Sequence, residues 1–218
     1  MPIEIQNIID SIYNFSKNNM ALHEPDTYSS VDKYGLGDNF KNIHWKISAK
    51  RNNLYVKKFD SIKKQNIRIY IDMTDYAPMT ENLHNVTDEN LVSFSLSIIK
   101  YLLWKNETIY LSIENLEIFN LELKTPEDYF SVVSYYLRHR SMGRDNFFNR
   151  VLQNTTQNDE NYETIFIITN TILSEDLETI AKIKIDCKNL IIFTLLDVSA
   201  KMKNLLSRID VDVIKVTV

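Results

Sequence analysis

Three short clusters of oxygen-bearing side chains follow apolar, strand-like runs in this chain. They are Asp72-Met73-Thr74-Asp75-Tyr76, Thr169-Asn170-Thr171 and Asp197-Val198-Ser199. Carboxylates and hydroxyls are hard oxygen ligands of the kind that suit Mg2+ or Mn2+. Asp72, Asp75 and Asp197 would be the acids of a metal-dependent hydrolase or nuclease, a chemistry that needs several convergent carboxylates. Asp72 and Asp75 can instead cap the next helix or tie down the loop. A second candidate lies in charge. Residues 41–68 carry nine Lys/Arg against one acid, Asp60, so the segment is +8 in a chain of net charge −4 and the remainder is −12. Such a block is either a partner-binding surface or a solvated face. Lys41, Lys50 and Arg51 are its partner-binding candidates. The acidic balance of the whole chain argues against a nucleic-acid role, which would want a basic domain with aromatics on a platform.

Other chemistries lack their residues. Glycine occurs only at 35, 37 and 143, so there is no phosphate-binding loop, no complete dinucleotide fingerprint and no Gly-x-Ser-x-Gly elbow. The histidines at 23, 44, 84 and 139 are scattered. His44 stands beside Trp45 with no partner at ligand spacing, which predicts packing or a hydrogen bond. The single cysteine, Cys187, rules out an internal disulfide and a cysteine-based zinc cluster, and suits a reducing, cytoplasmic setting. The N-terminus lacks the layout of a signal peptide, and no apolar run approaches the ~20 residues of a membrane span.

The elements that would position these residues can be read from periodicity. Residues 3–18 have helical apolar spacing, residues 20–40 read as irregular, and Leu54–Phe59 alternates as a strand. From residue 66 strands and helices take turns. Strands are expected at 67–72, 108–113, 164–169, 190–196 and 211–216, with 117–123 pairing to its predecessor as a hairpin or edge. Helices are expected at 90–104, from the Thr125-Pro126-Glu127-Asp128 start to about 138, at 144–153, from a Ser174 cap, and from Ser199 to 208. Strands apolar on both faces and separated by helices predict a mostly parallel sheet covered on both sides: a three-layer, Rossmann-like α/β fold. Ligands of such sheets sit at the carboxyl ends of the strands, where the oxygen-bearing clusters fall. The expected domains are an N-terminal lobe over 1–62 and the α/β domain over 63–218. In the lobe, Gly37-Asp38 reads as a turn in which Asp38 bonds the backbone ahead, and Trp45 as a core anchor joining the lobe to the sheet.

Residues 32–60 carry a denser pattern: Tyr34, Gly37-Asp38, Lys41, Ile43-His44-Trp45, Ser48-Ala49-Lys50, Leu54, Val56 and Phe59. This resembles the signature of the domain-of-unknown-function 58 family, with Tyr34, Gly37, His44 and Trp45 as its structural positions. Lys41 stands where the family usually has Arg, and Asp32-Lys33 reverse the charges of its frequent Arg-Glu. The resemblance implies a von Willebrand factor A-like domain after the signature. Such domains have a metal-ion-dependent adhesion site that reads Asp-x-Ser-x-Ser, with a Thr and an Asp from later loops. Asp72 and Thr74 match its first two positions. Tyr76 replaces the second small hydroxyl, Asn170 stands for the later Asp, and the loop around Ser141–Asp145 offers no Thr. The implied site is degenerate, holding Mg2+ or Mn2+ weakly or not at all, with Asp75 as partial compensation.

The function that the resemblance implies is a non-catalytic protein-interaction module, accessory to a MoxR-type AAA+ ATPase in chaperone-like assembly or maturation. Asp38, Lys41, Lys50, Arg51 and Asn170 are its candidate partner contacts. No nucleotide is expected, and membrane contact only if the chain is a fragment of an anchored protein. The alternatives are the metal-dependent hydrolase or nuclease, and a nucleic-acid-binding module using residues 41–68.

Overall fold

The computed structural model describes residues 2–3, 5–11, 30–35, 38–58, 67–74, 81–143, 146–157 and 164–216. The chain divides into two compact units, one of residues 3–63 and the other of residues 1–2 with 64–218.

In the smaller unit, residues 5–11 are helical (α1), and Ile5 and Ile9, one turn apart, are its buried positions. The rest of the helix expected to residue 18 lies outside the described residues. Ser30–Lys33 (β1) pairs antiparallel with Tyr55–Lys58 (β2), in the register Asp32↔Val56 and Lys33↔Tyr55. The reading of 20–40 as irregular is therefore corrected over Ser30–Lys33. That strand is almost wholly exposed and has no apolar face, so pairing rather than burial defines it. Between the strands, a 3-10 turn at Phe40–Asn42 is capped by the Asn39 side chain. It leads into a helix at Trp45–Arg51 (α2), which ends on Asn52 in the left-handed region at φ 54°.

The larger unit is the α/β fold the sequence predicts. Its strands are Ile67–Asp72 (β3), Ile109–Glu114 (β4), Ile118–Leu123 (β5), Thr164–Thr169 (β6), Asn189–Thr194 (β7) and Val211–Lys215 (β8). They form one six-stranded sheet in the order β5-β4-β3-β6-β7-β8. Every neighbouring pair is parallel except β4–β5, the expected hairpin. All six residues of β3 and all six of β6 are buried, as strands covered on both faces require.

The helices are Glu81–Trp104 (α3), Tyr129–Tyr136 (α4), Phe147–Gln157 (α5), Leu177–Ile185 (α6) and Ala200–Arg208 (α7). Phe147, Val151, Ile180, Ile183, Met202 and Leu206, from α5, α6 and α7, pack with Tyr70, Ile165, Ile167, Leu190 and Ile192 of the sheet. Phe94 of α3 meets Phe193 of β7, at 5.0 Å between ring centroids. α3 begins nine residues before the expected Asn90, because its first turns are polar and carry no apolar stripe. Ser174 is not the cap expected of it. The Asp176 carboxylate does that work, accepting from Leu173 N–H at 2.8 Å. Ser199 does cap α7, its hydroxyl accepting from Met202 N–H.

Candidate functional site

β3 runs to its carboxyl end on Asp72, which is fully buried. Its Oδ1 accepts from Thr74 N–H at 3.0 Å, and its Oδ2 accepts from the Thr169 hydroxyl, at the end of β6, at 2.7 Å. A two-residue reach from Asp72 to Thr74 N–H is the turn that Asp favours after a strand. The bond to Thr169 is different in kind, since it locks two neighbouring strands together through a buried carboxylate. Beside it, Leu195 N–H and Leu196 N–H donate to the carbonyls of Thr169 and Asn170, which fixes the β7 end against that of β6.

Among the described residues, three neutral oxygens at this edge are buried without a hydrogen-bond partner, Thr74 Oγ1, Asn170 Oδ1 and Thr194 Oγ1, and Glu114 Oε2 has only its ion pair with Arg150. Thr194 pairs in register with Thr169. Leaving a buried acceptor unmade costs about 1–3 kcal/mol, so three on one sheet edge require a reason. The acids at this edge are held where their charged forms are disfavoured. Burial pushes the Glu114 carboxyl pKa up, against the pull of Ser112 and Arg150, and the Asp72 charge pushes the same way. Burial likewise raises Asp176, with Glu175 and Asp72 adding to it.

Contacts with Gly143, Asn115 and Arg150 hold the edge in shape. Gly143 lies alongside Thr74, and its N–H donates to the Met73 carbonyl at 2.8 Å. A Cβ at Gly143 would stand 2.8 Å from that same carbonyl oxygen, so only glycine permits the approach. Asn115, after β4, donates through Nδ2 to the Arg140 carbonyl and accepts at Oδ1 from Leu116 and Met142 N–H. The Arg150 guanidinium donates from Nη1 to the Asn115 carbonyl and lies 3.6 Å from Glu114 Oε2 through Nε. Glu114 Oε1 accepts from Ser112 and Asn154.

The predicted site residues divide accordingly. Asp72, Thr74 and Asn170 fall on one sheet edge; Asp75 and Tyr76 lie outside the described residues. Asp197 is exposed and paired with Lys215 at 2.6 Å, which holds its carboxyl below the usual range. Among the described residues no group of three His, Cys, Asp or Glu is placed to hold a metal. Thr169 belongs to a cluster that the sequence marks, whereas Thr194, Glu114, Asn115 and Arg150 escaped the sequence reading, because Glu114 and Arg150 carry no local mark that a polar side chain will be buried.

In the smaller unit the signature residues do structural work. His44 Nδ1 accepts from Ile47 N–H at 3.3 Å and so caps α2, while the His44 backbone N–H donates to the Tyr55 carbonyl. The buried Ser48 hydroxyl accepts from Tyr55 N–H at 2.9 Å, tying α2 to β2. The rings of Tyr34 and Phe40 lie 5.1 Å apart. Asp38 Oδ2 accepts from Gly35 N–H at 2.9 Å, a bond back along the chain, and Gly37 lies outside the described residues. Trp45 is not a core anchor: it is 67% exposed, because α2 turns Ser48 inward. Lys41 and Lys50 are exposed, and the Arg51 guanidinium lies over the Tyr55 ring at 5.4 Å.

Residues 30–115 match the family model described as Protein of unknown function DUF58, which bears out the resemblance read from residues 32–60. No curated protein matches the chain. Among solved structures, the chain is similar to the SpRpn10 VWA domain at 15% identity, over 70% of this chain and 87% of that one, with a TM-score of 0.44. It is similar to the conserved hypothetical protein BatB from Bacteroides thetaiotaomicron at 11% identity, over 69% and 89%, also with a TM-score of 0.44. An aerotolerance-related membrane protein from Bacteroides fragilis is similar at 11% identity, over 70% and 91%, with a TM-score of 0.43. Among the described residues no helix is long and apolar enough to cross a membrane.

Proposed function

We propose that the chain is a non-catalytic protein-interaction module whose contact surface includes the carboxyl edge of the sheet, and that its partner is a MoxR-type AAA+ ATPase. The observation that carries this reading is the trio of buried, unpartnered oxygens, Thr74 Oγ1, Asn170 Oδ1 and Thr194 Oγ1, beside a carboxylate already committed to Thr74 N–H and Thr169. Groups left unsatisfied at one edge suit a surface completed by a ligand. Acid–base turnover would instead want a group held near the reacting atoms with its proton free to move. Asp72 is hydrogen-bonded at both oxygens, Asp197 is ion-paired, and His44 and His139 bond to backbone.

The donor set fits a hard divalent cation held weakly. Asp72 would give the carboxylate, Thr74 a hydroxyl and Asn170 an amide oxygen, and one carboxylate among neutral oxygens suits weak rather than tight binding. Mg2+ or Mn2+ bound there would supply a charge able to take an oxygen from a partner's carboxylate. Lys41 and Lys50 of the smaller unit would add contacts.

The test is affinity capture with tagged full-length chain, wild type beside Asp72→Ala, read by mass spectrometry. Enrichment of a MoxR-type ATPase by wild type and its loss with the variant is expected. Absence of any AAA+ ATPase from the wild-type capture would defeat the reading.

A further inference from the structure

The segment after α4 forms an exposed ridge that mixes apolar and basic side chains. Leu137 is 82% exposed and Met142 57%, and Leu116, from the β4–β5 turn, is 55% exposed. Leu116 and Met142 are neighbours, because both their N–H groups donate to one atom, Asn115 Oδ1, at 2.9 and 3.0 Å. Arg138 and Arg140 lie between Leu137 and Met142 and are exposed, and among the described residues neither guanidinium has an ion-pair partner. Glu117 is close enough to Tyr135 for its charge to be felt there, one acid against the two arginines among the described residues named.

The ridge is rigid. The His139 ring stacks on Tyr135 at 4.2 Å and its Nδ1–H donates to the Tyr135 carbonyl, while Tyr135 stacks in turn on Phe119 of β5 at 4.5 Å. Asn115 pins the carbonyl of Arg140, and Gly143 pins the far end to Met73. A backbone fixed at its start, middle and end holds Leu137 and Met142 in water with two arginines between them in sequence, and Leu116 lies beside Met142. Such preorganisation removes much of the ordering cost of binding.

We propose that this ridge docks an acidic segment of a partner protein that also carries apolar anchors. The arginines complement carboxylates, and the aliphatic and thioether side chains take the anchors. A nucleic acid fits less well, because the His139 ring is already stacked on Tyr135 and Leu116, Leu137 and Met142 offer no further ring on which a base could stack. The inference deepens the interaction-module reading by naming the chemistry of the partner segment, since Gly143 joins the ridge directly to Thr74 at the sheet edge.

The test is selection of binders from a random-peptide display library, with full-length wild type as bait and an Arg138→Glu/Arg140→Glu variant as the comparison. Both substitutions are at exposed positions, and an unchanged melting temperature confirms the fold. Wild type is expected to select peptides rich in Asp or Glu with interspersed Leu, Ile or Phe. A synthetic consensus peptide should bind at least tenfold more weakly to the charge-reversed variant, to Leu116→Ser/Met142→Ser, and in raised salt. No selected consensus, a consensus without acids, or equal binding by the variant would overturn the inference, as would binding of a single-stranded oligonucleotide at the ridge in place of the peptide. Its failure is separable from that of the wider reading. ATPase capture that depends on Asp72 but not on Arg138 and Arg140 removes the ridge alone, and peptide selection without ATPase capture removes the ATPase alone.

Discussion

Asp72 and Glu114 are both fully buried acids at strand ends, yet their surroundings give them different consequences. The Asp72 carboxylate is hydrogen-bonded at both oxygens, so Thr169→Val, which keeps shape and removes the donor, leaves Oδ2 short of a partner. The expected loss of stability is about 1–3 kcal/mol, measured by urea unfolding. Glu114 is dominated by burial, which raises its pKa above the ordinary 4.5. A raised carboxyl pKa means that the folded state holds the proton more tightly than the unfolded chain. This acid therefore takes stability away as pH rises from about 4.5 through its folded value, and the loss is constant above that. Glu114→Gln should flatten that part of the stability-versus-pH curve; an unchanged slope would show that another group sets it. Burial also pushes the Cys187 thiol up to about 11, so it stays protonated at neutral pH and iodoacetamide should label it much more slowly than a free thiol.

At the scale of elements, two short contacts set local geometry. Gly143→Ala forces a Cβ to within 2.8 Å of the Met73 carbonyl oxygen, and backbone on both sides must give way. A cost of about 1–3 kcal/mol is expected, with the loop around Met142 and Thr74 displaced together. In the smaller unit, Ser48→Ala leaves Tyr55 N–H without its acceptor and should cost a similar amount, read as earlier melting of α2 and β2 by amide hydrogen exchange. These contacts also mark where the sequence could be read and where it could not. β3, β6 and β7 were legible because continuous β-branched runs bounded by polar clusters have few other fates. β1 was not, since Ser30–Lys33 has no apolar face and exists through its pairing with β2. The role of Gly143 could not be read because it depends on Met73, seventy positions away in the chain. Trp45 misled the reading because large aromatics are buried on average, whereas its place in the first turn of α2 leaves it exposed.

At the scale of the molecule, the six-stranded sheet brings residues from four strand ends to one edge: Asp72 and Thr74, Glu114 and Asn115, Thr169 and Asn170, and Thr194. The strand-end rule located the Asp72 and Thr169 clusters from sequence. It could not foretell that Asp72 and Thr169 would satisfy each other while Thr74, Asn170 and Thr194 would not, because those pairings come from strand order. The edge and the adjoining ridge of Leu137–Met142 form the surface on which the interaction reading stands. Hydrogen–deuterium exchange of the full-length chain, with and without a purified MoxR-type AAA+ ATPase, tests this most directly. The account predicts slowed exchange at 72–74, 115–116, 137–143 and 169–171 when the ATPase is present. Unchanged exchange throughout, or protection confined to other segments, would contradict it.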